Sequence, residues 1–168
     1  MDGTLVEPWR TTPLPDVRER LRVLQDQEVP VVVITNQGGV GYRYAYEQRG
    51  EWAQAARYPT FEDVQARLAA IAECLPFTRT YVSLYHGRPD WPRPDACHRI
   101  EFHHPVPAFW SWRPDWHKPQ PGMLLQALED LNTAPSDALM VGDRIEDREA
   151  ARAAGVPFRW ATADWRLW

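Results

Sequence analysis

Residues 30–36 read PVVVITN and residues 137–143 read DALMVGD. Each is a short, continuously apolar run that ends on polar residues, the pattern of a strand buried on both faces of a parallel sheet. Working outward, the segments between and around them have helical period. Val17, Leu21 and Leu24 form one face of residues 13–28. Phe61, Val64, Leu68, Ile71 and Leu75 form the stripe of residues 60–75, with Thr60 and Asp63 as an N-terminal capping pair. Leu124, Leu128 and Leu131 follow Pro121, and a helix from about Glu146 to Ala154 stops at Gly155, where a left-handed residue ends helices readily. Thr80 to Tyr85 and Val156 to Ala161 supply two more candidate strands. Alternating strands and helices of this kind predict an α/β fold, a Rossmann-like parallel sheet with helices on both faces.

The chain has 168 residues, enough for one domain with a real core, and a single domain over 1–168 is expected. Its formal net charge of −4 argues against a general grip on nucleic acid or an anionic membrane. No apolar run approaches the roughly 18 residues that span a bilayer, and no export leader is recognisable, so a cytoplasmic protein is expected. Two cysteines, Cys74 and Cys97, are too few for a disulfide framework. Composition leaves the oligomeric state open.

In open α/β sheets, ligands bind beyond the carboxyl ends of the strands. Four groups of polar residues fall at such ends: Asp2-Gly3-Thr4, Thr35-Asn36-Gln37, Lys118 before the PGMLL helix, and Gly142-Asp143-Arg144-Ile145-Glu146-Asp147. Each alone has an ordinary explanation as a turn, a cap, a solvated charge or a dipole partner. Together they bring carboxylates, a hydroxyl and a lysine to one crevice, the set that phosphoryl transfer needs. Carboxylate oxygens suit magnesium, while ammonium and hydroxyl groups hold phosphate oxygens.

At this point the sequence resembles the haloacid dehalogenase-like (HAD-like) phosphatases. Asp2-Gly3-Thr4-Leu5-Val6 is similar to the back half of their first motif, Asp-x-Asp-Gly-Thr. Ile34-Thr35-Asn36-Gln37-Gly38-Gly39 resembles the second, Lys118-Pro119-Gln120-Pro121-Gly122-Met123 the third, and Val141-Gly142-Asp143 through Asp147 the fourth. The Thr-Asn-Gln and Lys-Pro-x-Pro-Gly-Met forms point to the histidinol phosphatase and heptose bisphosphate phosphatase branch, which lacks a large cap domain. The resemblance implies a magnesium-dependent phosphomonoester hydrolase acting on a small phosphorylated metabolite through an aspartyl phosphate. Asp2 would be general acid and base, with its carbonyl on the metal. Thr35, Asn36 and Lys118 would hold the phosphoryl group, and Arg144 would contact substrate. At the metal site, Asp143 would bind magnesium directly and Asp147 would orient a metal-bound water. A non-catalytic binding or regulatory domain with the same fold is the rival reading.

Two departures accompany the resemblance. Met1 occupies the variable position of the first motif, so the attacking aspartate and the central strand carrying it would precede residue 1. The 168-residue chain is therefore expected to be inactive by itself. The second departure lies in residues 86–117, whose density of proline predicts a long irregular loop. Relatives in the heptose branch often bind zinc there. This loop offers His86, His98, His103, His104 and His117 but one thiolate, Cys97, short of the usual structural set. The favoured expectation is a loop packed by Trp91, Trp110, Trp112 and Trp116 as a small satellite core, without zinc.

Overall fold

The computed structural model describes residues 1–94, 100–103 and 106–161. The helices are α1 (Val17–Asp26), α2 (Gly38–Gln48), α3 (Trp52–Ala55), α4 (Phe61–Cys74), α5 (Gly122–Asp130) and α6 (Ile145–Ala154). The strands are β1 (Val32–Asn36), β2 (Arg79–Ser83), β3 (Ile100–His103), β4 (Pro107–Ser111), β5 (Met140–Gly142) and β6 (Phe158–Trp160). Strands β1, β2 and β4 pair in parallel in that order, and β3 closes the outer edge antiparallel to β4. Strands β5 and β6 form a separate parallel pair. Both apolar runs that open the sequence argument are thus strands, in two sheets rather than one.

The period-2 rule of strands sorts the core into two layers. Ile34, Tyr81 and Phe109 stand in register across β1, β2 and β4. They pack with Met123, Leu124 and Ala127 of α5 and with Ala150, Ala151 and Ala154 of α6. Residues one step along the strands point the other way. Val33 meets Val17 and Leu21 of α1, while Val82, Ala108 and Trp110 meet Val40 of α2 and Val64 and Leu68 of α4. Helices therefore cover both faces, as the sequence predicts.

Local signals act as expected at several ends. Thr60 and Asp63 form the reciprocal cap of α4, and Gly155 ends α6 at φ 72°. Helix α2 carries no clear apolar stripe and escapes the sequence reading. Gly41 explains it: a Cβ there would lie 2.3 Å from the Leu84 carbonyl oxygen, so glycine lets the helix press onto the sheet.

The irregular loop expected over 86–117 requires correction. It contains β3, β4 and a 3-10 turn at Pro114–Trp116. Two of its prolines fall where a missing N–H is tolerated: Pro107 is the first residue of β4, and Pro114 opens the 3-10 turn. The tryptophans likewise do not form a satellite core of their own. Trp110 and Trp116 are nearly inaccessible and join the main core on opposite faces of the sheet. Trp91 instead stacks edge-on against Tyr42 and Tyr46, with the Arg88 guanidinium 4.5 Å over its ring.

Candidate active site

The carboxyl ends of β1 and β5 bring most of the motif residues together. Asn36 and Lys118 exchange two hydrogen bonds. The Asn36 amide donates to the Lys118 carbonyl at 3.0 Å, and the Lys118 backbone N–H donates to Asn36 Oδ1 at 3.0 Å. This ties the end of β1 to the segment before α5, where the Lys118-Pro119 peptide is cis. The lysine side chain then turns inward. Its Nζ donates to the Ile34 carbonyl at 3.0 Å and to Asp147 Oδ1 at 2.6 Å. Both side chains are under a tenth exposed. Burial alone would raise the Asp147 pKa, but the Lys118 ammonium outweighs it and holds the carboxylate below its ordinary value.

Asp147 sits in the first turn of α6, where its other oxygen accepts the Arg144 backbone N–H at 3.2 Å. Gly142 makes room for it, since a Cβ there would lie 2.5 Å from the Asp147 side chain. Asp143 comes from the same strand end, and the Thr4 hydroxyl donates to its Oδ1 at 2.8 Å. Gly3, at φ 71°, approaches the same carboxylate so closely that a Cβ would fall 2.2 Å from Oδ2. Thr35 is buried, and its Oγ1 accepts the Gln37 amide at 2.9 Å. The Met1 amine is deeply buried here too. Burial, reinforced by Lys118, lowers its pKa to about 6, against the pull of Asp147, Asp143 and Asp2.

Two of the expected site residues lie differently. Asp2 turns its carboxylate away, toward α4, where Arg67 grips both oxygens and the Trp9 N–H donates to Oδ1 at 3.1 Å. Burial pushes its pKa up, yet the Arg67 hydrogen bonds and charge bring it below the ordinary value. The Arg144 guanidinium faces solvent and pairs with Glu146, so only its backbone N–H joins the cluster. Sequence reasoning did not find Arg67 or the role of Thr4. Arg67 lies on the helix stripe's polar side, 65 positions along the chain from Asp2, and nothing local marks such a pairing.

Among the described residues, no group of three or more His, Cys, Asp or Glu is gathered as a metal cluster. Asp143 and Asp147 are nonetheless hard oxygen donors on either side of one helix start, a donor pair that fits magnesium by its chemistry. Of the loop histidines, His86 and His117 are described. His86 Nε2 lies 3.2 Å from the Pro92 carbonyl and His117 Nδ1 3.4 Å from Ser83 Oγ. The zinc question also involves Cys97, His98 and His104 and the side chain of His103, which lie outside the described residues.

Comparison with known proteins agrees with this geometry. Residues 115–160, which hold the third and fourth motifs, match the family described as HAD-hydrolase-like. A D-glycero-beta-D-manno-heptose-1,7-bisphosphate 7-phosphatase of Haemophilus ducreyi is 31% identical over 144 residues, 83% of this chain and 63% of that protein. The protein of the same name from Pasteurella multocida is 50% identical over 42 residues, a quarter of this chain and 23% of that one. The chain thus spans less than two thirds of the length of the curated relatives it matches. A crystal structure of a HAD-like phosphatase candidate from Mesorhizobium loti shares the fold, with a TM-score of 0.59 at 20% identity over 92% of this chain and 66% of that one. The chain thus shares the fold of a HAD-like phosphatase, and its residues 115–160 match the HAD-hydrolase-like family.

Proposed function

We propose that the crevice at the ends of β1 and β5 binds the phosphate of a small cytoplasmic metabolite, and that the protein is a magnesium-dependent phosphomonoester hydrolase. The observation that carries this reading is the buried Lys118–Asp147 pair beside Thr35, Asn36 and Asp143. Lys118 and the Thr35 hydroxyl would hold equatorial phosphate oxygens, with Asn36 keeping Lys118 in place. Asp143 and Asp147 would hold the magnesium ion together with the Asp2 carbonyl. When bound, the metal would neutralise phosphate charge. Asp2 would protonate the leaving group, which requires its carboxylate to leave Arg67 and swing toward the crevice. Arg144 would reach the substrate from the rim. The names of the relatives favour a phosphorylated sugar such as a heptose bisphosphate as substrate.

An aspartyl-phosphate route needs one further carboxylate, in line with the phosphorus. Asp143 is held by Thr4, Asp147 by Lys118 and Arg144, and Asp2 by Arg67 and Trp9. With each committed, the 168-residue chain by itself would bind phosphate and hydrolyse nothing. The test is phosphate release from sugar phosphates with magnesium, measured on this chain and on a version extended by an apolar strand ending in aspartate directly before Met1. Release by the extended version alone is the expected result. Release by neither favours the rival reading, a non-catalytic binding or regulatory domain. Release by the 168-residue chain would overturn the assignment of the nucleophile.

A further inference from the structure

The segment after β2 runs His86-Gly87-Arg88-Pro89-Asp90-Trp91-Pro92-Arg93-Pro94. Its three prolines have no N–H, so it has few main-chain donors with which to hold its own shape. Among the described residues, main chain bonds to main chain within it once, from the Trp91 N–H to the Arg88 carbonyl at 3.3 Å. The other ties converge on one imidazole. His86 is 3% exposed, its Nδ1 accepts the Arg88 backbone N–H at 3.0 Å, and its Nε2 lies 3.2 Å from the Pro92 carbonyl. An amide N–H only donates and a carbonyl only accepts. The two contacts therefore place the ring proton on Nε2, leave Nδ1 bare and make the ring neutral.

What the ring pins lies against α2. Trp91 packs edge-on against Tyr42 and Tyr46, and the Arg88 and Arg49 guanidinium groups stand 4.5 and 5.0 Å from its ring centre. The root of the loop is pressed onto the same helix. A Cβ on Gly41 would lie 3.0 Å from the His86 nitrogen, and one on Gly38 would lie 2.8 Å from the Tyr85 carbonyl oxygen. Gly38 comes directly after Thr35, Asn36 and Gln37, so the pinned loop stands beside the phosphate crevice.

A second proton on this ring breaks the arrangement. Placed on Nδ1, it would meet the Arg88 N–H, and a hydrogen bond would become two opposed donors. The charge is also poorly received. Arg88 and Arg93 act on the ring as cations from the loop itself, and His117 does so from the segment before α5. Helix α2 offers the Tyr42 ring at 5.8 Å, and Tyr85 lies at 5.0 Å, both uncharged. Asp90, the carboxylate of the loop, is exposed. Burial, then Arg93 and Arg88, lower the His86 pKa, and the Pro92 carbonyl does not make up the difference.

We propose that residues 86–93 are an acid-released wall of the crevice: neutral His86 pins the loop onto α2, and protonation of its ring frees it. A group whose pKa is lower in the pinned state stabilises that state above its free value, near 6.5, and this stabilisation is lost as pH falls below it. The ratio of pinned to released loop should then drop about tenfold per pH unit below 6.5, until the pinned ring itself is protonated. The inference rests on the contacts of His86, not on the phosphatase reading, and its test does not use activity.

The test is NMR of the 168-residue protein between about pH 8 and pH 5, the range in which histidine titrates, following the His86 ring nitrogens, the Arg88 amide and the Trp91 indole N–H. At the upper limit His86 should show the Nε2–H tautomer, and its midpoint should lie below that of an exposed histidine. Through that midpoint the protection of the Arg88 amide against exchange should fall at least tenfold, and the Trp91 signal should move along the same curve. His86→Gln keeps an acceptor and a donor but does not titrate. In that variant the pH dependence of both signals should vanish, with the loop either pinned or released throughout. The proposal is overturned if the Nδ1–H tautomer is found at the upper limit. It is equally overturned if Arg88 and Trp91 stay unchanged through the His86 midpoint, or if the His86→Gln protein shows the same release on acidification.

Discussion

At the scale of single residues, the account turns on Lys118. Its ammonium is buried against Asp147, and a buried carboxylate left without its partner costs about 3–5 kcal/mol. Lys118→Met should therefore lower unfolding stability by about 3 kcal/mol in urea titrations. The double change Lys118→Met with Asp147→Asn should cost clearly less than the two singles added, because the uncompensated charge is gone. The positions of Thr35, Asn36, Lys118, Asp143 and Asp147 at the ends of strands and helices were legible in the sequence, because each follows or precedes an element whose pattern is plain. The orientation of Asp2 was not. It depends on Arg67, a contact formed only when α4 docks beside the first turn of the chain, and sequence spacing does not carry such contacts.

At the scale of elements, the clearest signals were local ones. The reciprocal cap between Thr60 and Asp63 was readable from residue types, and Thr60→Ala should cost about 1 kcal/mol of stability by thermal or chemical unfolding. Strand β4 was hidden by its neighbours, since prolines on both sides masked a short apolar run that is central to the sheet. A tie between elements also sets an alkaline limit. The Tyr81 hydroxyl on β2 donates to Asp130 Oδ2 of α5 at 2.9 Å, and burial with that hydrogen bond raises its pKa to about 12. A group whose pKa is raised on folding contributes stability that is complete below its unfolded value, near 10, and lost as pH climbs toward 12. Stability should thus fall between about pH 10 and 12, and the fall should be shallower in Tyr81→Phe. Equal slopes in the two proteins would remove Tyr81 as the cause.

At the scale of the whole molecule, alternating helices and strands made the fold class readable, and period 2 sorted the core into two layers. The division into two sheets was not readable, because pairing partners are chosen in space and β1 and β5 are far apart in sequence. That division leaves a cavity between β1 and β5, with Lys118 in its lining. The central claim is that the crevice at the ends of β1 and β5 is a magnesium-assisted phosphate site, and calorimetric titration of the 168-residue protein with inorganic phosphate tests it most directly. Phosphate should bind, at least tenfold more tightly with magnesium than without it, and Asp143→Asn should abolish the difference while leaving the fold intact by circular dichroism. Phosphate that fails to bind, or binds equally well with and without magnesium, would contradict the account.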